Sequence, residues 1–88
     1  MKMDLHGLLL IAKAQAKQSA KAAASDMRTR GMLEKLKIEV EEFESVFASE
    51  LEKHIQQVID KPGSKFSDMG EATKRSLNIT ILMLSKVS

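Results

Sequence analysis

The sequence predicts an all-α protein of two to three helices, a helical hairpin or small bundle with a long central amphipathic helix, completed by oligomerisation. Three observations lead there. Apolar residues recur at helical spacing from Met32 to Asp60. The stretch Ala12–Ser25 is dominated by alanine, lysine and glutamine, which are strong helix formers. The only proline lies in Lys61-Pro62-Gly63-Ser64, the sharpest turn signal in the chain.

The first helix is expected over about 4–27, where the only interior glycine is Gly7. Ser25-Asp26 and Thr29-Arg30-Gly31 gather residues that favour caps and turns, and Gly31 is placed like a C-terminal helix stop. The alternative is one uninterrupted helix from Leu5 to Asp60, about 84 Å long at 1.5 Å per residue. Leu9, Ala12, Ala16, Ala20, Ala23 and Met27 fall on one side of this helix. Alanines there let two backbones approach closely, yet they bury little area at roughly 25 cal/mol per Å².

The second helix, about 32–60, carries the strongest pattern. Leu33, Leu36, Val40, Phe43, Phe47, Leu51, Ile55 and Val58 follow steps of three and four and form one seam. Ile38, Val46 and Ile59 lie off it and widen the apolar surface. The early steps keep a heptad rhythm, as in a coiled-coil-like contact. The turn then spans about 61–66, centred on Pro62 and Gly63.

A third helix is expected over about 68–87, capped by Ser67 or Asp68, with Asp68 and Glu71 in capping-box spacing. Leu77, Ile81 and Leu84 are its expected contact residues. Leu77-Asn78-Ile79-Thr80-Ile81 also alternates as a strand would. A lone strand needs a partner, and no other segment supplies one.

The net charge of +2 hides a pattern. Residues 1–30 hold six basic and two acidic side chains, 31–60 three and eight, and 61–88 five and two, giving +4, −5 and +3. Lys13, Lys17 and Lys21 form a stripe which, with Arg28 and Arg30, is a candidate anion- or partner-binding set. Because the second helix is acidic at Glu34, Glu39, Glu41, Glu42 and Glu44, the stripe is expected to choose a protein face. Pairs of this kind act on specificity more than on stability.

Several chemistries have no residues to carry them. There is no cysteine, tyrosine or tryptophan, so no disulfide framework, thiolate metal site or indole stacking platform exists. His6 and His54 lie far apart in the chain, and Glu50–His54 reads as a routine pair on an exposed helix. No catalytic residue, metal or cofactor is expected. Asn78-Ile79-Thr80 matches a glycosylation acceptor, but the apolar run Leu8–Ala12 is too short for a secretory signal and far short of the roughly 20 residues that span a bilayer. The expected location is cytoplasmic or within a particle, without a transmembrane segment. The six methionines, Met1, Met3, Met27, Met32, Met69 and Met83, read as gap fillers.

From Phe43 through Pro62-Gly63 to Leu84, the layout of helix, tight turn and helix resembles the short rod and needle subunits of type III secretion machines. The resemblance covers the second half of the chain and implies that such chains can form polymers. The first helix either completes a small bundle or extends to a neighbouring copy; large apolar residues are thin from Lys13 to Ala24, so a closed three-helix monomer would be underfilled along one side, which favours the extension. The expected function is a non-enzymatic structural or assembly protein that self-associates through amphipathic helices, such as a small subunit of a virion or secretion-type assembly. Its partner is protein, in a homo-oligomer or larger assembly. The alternatives are a nucleic-acid-binding protein using the basic N-terminal helix, and a helical adaptor or inhibitor of one protein.

Overall fold

A computed structural model describes residues 4–87, with side chains to Ser85, so the expectations for Met1 and Met3 lie outside the described residues. The chain is all-helical there, but in five helices rather than two or three: α1 Leu5–Ala14, α2 Ala16–Ser25, α3 Met27–Leu36, α4 Val40–Asp60 and α5 Phe66–Val87.

The expected first helix breaks twice. Asp4 opens α1 by accepting a hydrogen bond from the Gly7 amide at 2.8 Å. At Gln15 the backbone leaves helical geometry (φ −100°, ψ 16°), and its amide is shared between the Ile11 and Ala12 carbonyls at 3.0 and 3.2 Å. The bend redirects the chain so that α1 and α2 both pack on α4. Asp26 makes the second break. Its backbone is extended, and its carboxylate accepts from the Thr29 amide at 3.2 Å, which caps α3.

Gly31, expected as a stop, lies inside α3. The helix ends instead at Lys37, which takes the left-handed conformation at φ 58°. The Lys37 amide donates to the Glu34 carbonyl at 3.2 Å, and the Ile38 amide donates to Leu33 at 2.9 Å. That pair of bonds closes a Schellman turn, with Ile38 buried in the same apolar cluster as Leu33. The expected helix over 32–60, and the uninterrupted helix from Leu5 to Asp60, are therefore both interrupted at 37–39. Leu33 and Leu36 belong to α3, and Val40, at the start of α4, is 42% exposed rather than part of a seam.

After α4 the Pro62-Gly63 turn follows, with Gly63 at φ 75°. Ser64 donates to the Lys61 carbonyl at 2.7 Å and also bonds the Val58 carbonyl, which ties the turn to the end of α4. Helix α5 begins at Phe66, two residues earlier than expected. Asp68 lies within its first turn and accepts from the Lys65 amide at 2.8 Å, so it is the returning acid of the cap and not the cap itself. Residues 77–81 are helical.

Helix α4 is the spine: α1 and α2 pack along one side of it and α5 along another. Lys13 bonds Gln56 at 2.6 Å while Lys21 and Ser25 lie near Glu44, so α1 and α2 run antiparallel to α4. His54 opposite Ser76 and Lys61 opposite Asp68 set α5 antiparallel as well. Of the two expected places for the first helix, the chain takes the bundle-completing one, with α1 and α2 closing on α4 of their own chain. Alanine makes this closure: Ala16 and Ala20 are fully buried and Ala24 nearly so. Met27, expected on that seam, is 88% exposed because the break at Asp26 turns it away. Phe43 and Phe47 form the aromatic centre, with ring centroids 5.5 Å apart. The molecule measures 43 × 23 × 17 Å.

Candidate functional site

Two features on the flanks of α4 concentrate polar chemistry. The first joins α4 to α5. Ala72, Ser76, Thr80 and Leu84 recur every four residues, so they share one face of α5, and all four are buried. His54 faces them, with Nδ1 2.7 Å from Ser76 Oγ and Nε2 3.8 Å from Glu50 Oε2. The pair Glu50–His54 is thus part of a buried junction and not a routine surface pair.

The Ser76 hydroxyl has one proton and two neighbours, His54 Nδ1 and the Ala72 carbonyl, the latter also at 2.7 Å. If it donates to Nδ1, the neutral ring keeps its own proton on Nε2, directed at the Glu50 carboxylate. If it donates to Ala72, Nδ1 must donate to Oγ and a bare Nε2 faces the carboxylate. Electrostatics favours the first arrangement for the neutral ring; a doubly protonated ring instead donates from Nδ1 to Ser76 Oγ, whose hydroxyl then donates to the Ala72 carbonyl, and directs its Nε2 proton at Glu50. Burial pushes the His54 pKa below its ordinary 6.5; Arg75 and Lys53 act in the same sense and Glu50 opposes them.

A cleft of about 180 Å³ opens beside this junction, with Lys61, Asp68, Glu71 and Arg75 around it. Lys61 and Asp68 pair across it at 3.8 Å. Although serine, histidine and glutamate stand in sequence there, Ser76 is fully buried and its hydroxyl is enclosed between His54 and the Ala72 carbonyl. This arrangement locks two helices together and presents no accessible nucleophile.

The second feature is a groove between α2 and α4. A cavity of about 330 Å³ is lined by Lys17 and Lys21 from α2, which form its cationic rim, and by Glu44, Ser45, Ala48, Ser49 and Glu52 from α4, whose two carboxylates make that side anionic. Lys21 and Glu44 also line a neighbouring cavity of about 300 Å³ that continues to Arg30 and Val40. The groove follows from composition, since alanines on α2 and Ala48 on α4 are too small to fill the space between two helix cylinders. A third cavity, about 240 Å³, lies over Phe47, Leu51 and Ile55, with Ala12, Ala23 and Met69 at its edges.

The expected site residues distribute as follows. Lys13 is half-buried and spends its ammonium on Gln56, while Lys17 and Lys21 are exposed on the groove rim and Arg28 stands apart from it on α3. The stripe therefore does not act as one unit. Among the described residues the ion pairs are His54–Glu50 and Lys61–Asp68, so the expected pairing of the lysine stripe with Glu34, Glu39, Glu41, Glu42 and Glu44 does not form within the chain. Leu9, Leu33, Phe43, Phe47, Leu51, Ile55, Val58 and Leu84 are buried, whereas Ala12, Ala23, Leu36, Leu77 and Ile81 pack at the core's edge. Pro62 and Gly63 are exposed in the turn. The sequence reading missed Ser76 and Thr80, for which the four-residue repeat of small residues in α5 was the available signal.

Among the described residues, no helix is long and apolar enough to cross a membrane, and no three potential ligands gather to hold a metal ion. The chain matches no family model, no curated protein and no solved structure.

Proposed function

We propose that this chain is a non-enzymatic structural or assembly protein that self-associates through its helices. The observation that carries the reading is the amount of large apolar surface left outside a core that already occupies every helix. Leu10 and Ile11 on α1 are 48% and 41% exposed, and Leu82 and Met83 on α5 are 55% and 45% exposed. Met27 and Phe66 are exposed further still. Contiguous exposed apolar residues on a small domain mark contact with other proteins.

The two pairs lie on different helices and at different levels along α4. Contacts between unlike patches generate rings or open filaments and so extend an assembly beyond a closed pair, which suits a subunit of a virion or secretion-type assembly. The nucleic-acid alternative draws less support, because Lys17 and Lys21 face an acidic rim across the groove and Lys13 is bonded to Gln56. Light scattering coupled to size-exclusion chromatography over a concentration series tests the reading. The expected result is a mass that rises with concentration; a compact monomer throughout overturns it.

A further inference from the structure

We propose that the groove between α2 and α4 is where two copies of this chain meet, face to face, about a two-fold axis running along the helices. The proposal rests on the self-association reading and adds the surface, the partner and the symmetry.

Charge carries the argument. The groove has a cationic rim at Lys17 and Lys21 and an anionic rim at Glu44 and Glu52, and none of these four side chains forms an ion pair within the described chain. Both rims are exposed or half-buried, so the charges are open to a partner. The partner they fit has the same two rims in mirrored positions. A half-turn about an axis parallel to α4 exchanges left and right while keeping each residue at its level along the groove. It sets Lys17 of one copy over Glu52 of the other and Lys21 toward Glu44, and each contact occurs twice. A half-turn about the perpendicular in-plane axis instead sets lysine over lysine and glutamate over glutamate. Like charges there select against that arrangement, so the charge layout chooses both the occupant and its orientation.

The α4 side suits such an approach. On the α4 side Glu44 and Glu52 are accompanied only by the small side chains of Ser45, Ala48 and Ser49, so a second copy's charged residues can approach without steric conflict. The continuation of the groove to Arg30 lengthens the cationic rim, and Val40 adds an exposed apolar contact at its end.

The test uses two rim reversals, the double variant Lys17→Glu with Lys21→Glu, and the double variant Glu44→Lys with Glu52→Lys. Circular dichroism first establishes that each retains the helical content of the parent chain. Each variant alone is expected to run as a monomer at concentrations where the parent dimerises, because both of its rims then carry one sign. An equimolar mixture of the two is expected to recover the dimer mass, since the all-acidic groove now meets the all-basic one. High salt is expected to weaken both the parent dimer and the mixed one. If the parent associates and neither reversal changes its mass, or if the folded variants fail to recover the dimer on mixing, the groove proposal falls while self-association stands. A parent chain that is monomeric at every concentration overturns both, and is the result expected if the groove holds a helix of another protein.

Discussion

His54 Nδ1 lies 2.7 Å from Ser76 Oγ, and this buried hydrogen bond is the side-chain link that pins α4 to α5 at mid-length. Removing Ser76 leaves His54 Nδ1 dry and unpaired, whereas removing His54 leaves the Ser76 hydroxyl bonded to the Ala72 carbonyl. Ser76→Ala is therefore expected to cost about 1–3 kcal/mol of unfolding free energy, and His54→Leu less. The double variant is expected to cost less than the sum, since the Nδ1 that Ser76→Ala orphans is then gone. Urea titration of the four proteins measures this; strict additivity would show that the contact is energetically idle.

The same junction sets a pH dependence. Burial holds the folded pKa of His54 below its ordinary 6.5, so the unfolded chain takes up the proton first. The contribution is complete above about pH 6.5 and declines as the pH falls from there toward the depressed folded value. Denaturation midpoints are expected to fall on mild acidification, and His54→Leu to flatten that slope. Glu50→Gln is expected to steepen it, because Glu50 is the group that favours the charged ring. A parent slope that persists unchanged in His54→Leu would place the titration elsewhere.

The end of α3 makes two glycine predictions of opposite kind. Gly31 lies within a helix and a Cβ there would meet no atom within 4 Å, so Gly31→Ala is expected to stabilise by about 0.5–1 kcal/mol. Lys37 has φ 58°, and Lys37→Gly is expected to stabilise by a similar ~0.5–1 kcal/mol through relief of the left-handed conformation. Had the helix stopped at Gly31, the first substitution would destabilise. Thermal melts of both variants distinguish the two boundaries.

Ala20 and Ala23 lie on one helix with different surroundings. Ala20 is fully buried, so Ala20→Leu is expected to force α2 away from α4 at a cost of about 1–3 kcal/mol. Ala23 borders the 240 Å³ cavity over Phe47 and Leu51, and Ala23→Leu is expected to raise stability by about 0.5–2 kcal/mol by filling it. Equal effects of the two substitutions would mean that the alanine face is loosely packed throughout.

The helical class, the Pro62-Gly63 turn and the seam from Phe43 to Val58 could be read from the sequence because each rests on a local pattern. The joint at Lys37 could not. Leu33, Leu36 and Val40 keep helical spacing straight through it, and a lysine in the left-handed conformation carries no compositional sign; only the Leu33–Ile38 contact stabilises it. Gly31 misled for the converse reason, since a glycine facing open space reads the same as one that ends a helix. Asp26 was legible as a cap, but the bend at Gln15 was not, because no proline or glycine marks it. At the candidate site, the lysine stripe and the acidic helix were visible as charges. Which lysine is spent on Gln56 and which remain on a rim depends on the level at which α1 and α2 meet α4, and that is a tertiary fact.

The unequal filling of the two sides of α4 has a kinetic consequence. Its contact with α5 closes across the short turn at residues 61–65, so little chain entropy is lost in bringing the helices together. Its contact with α1 and α2 requires α3 and the Lys37 joint to be in place, and is made largely through alanine. The hairpin of α4 and α5 therefore forms early and opens late, whereas α1 and α2 arrive last and leave first. Amide hydrogen exchange is expected to follow that order, with protection persisting in Phe47–Val58 after Ala16–Ala24 has exchanged. The wall with the smallest side chains is the door of the molecule, and its hinge is a lysine.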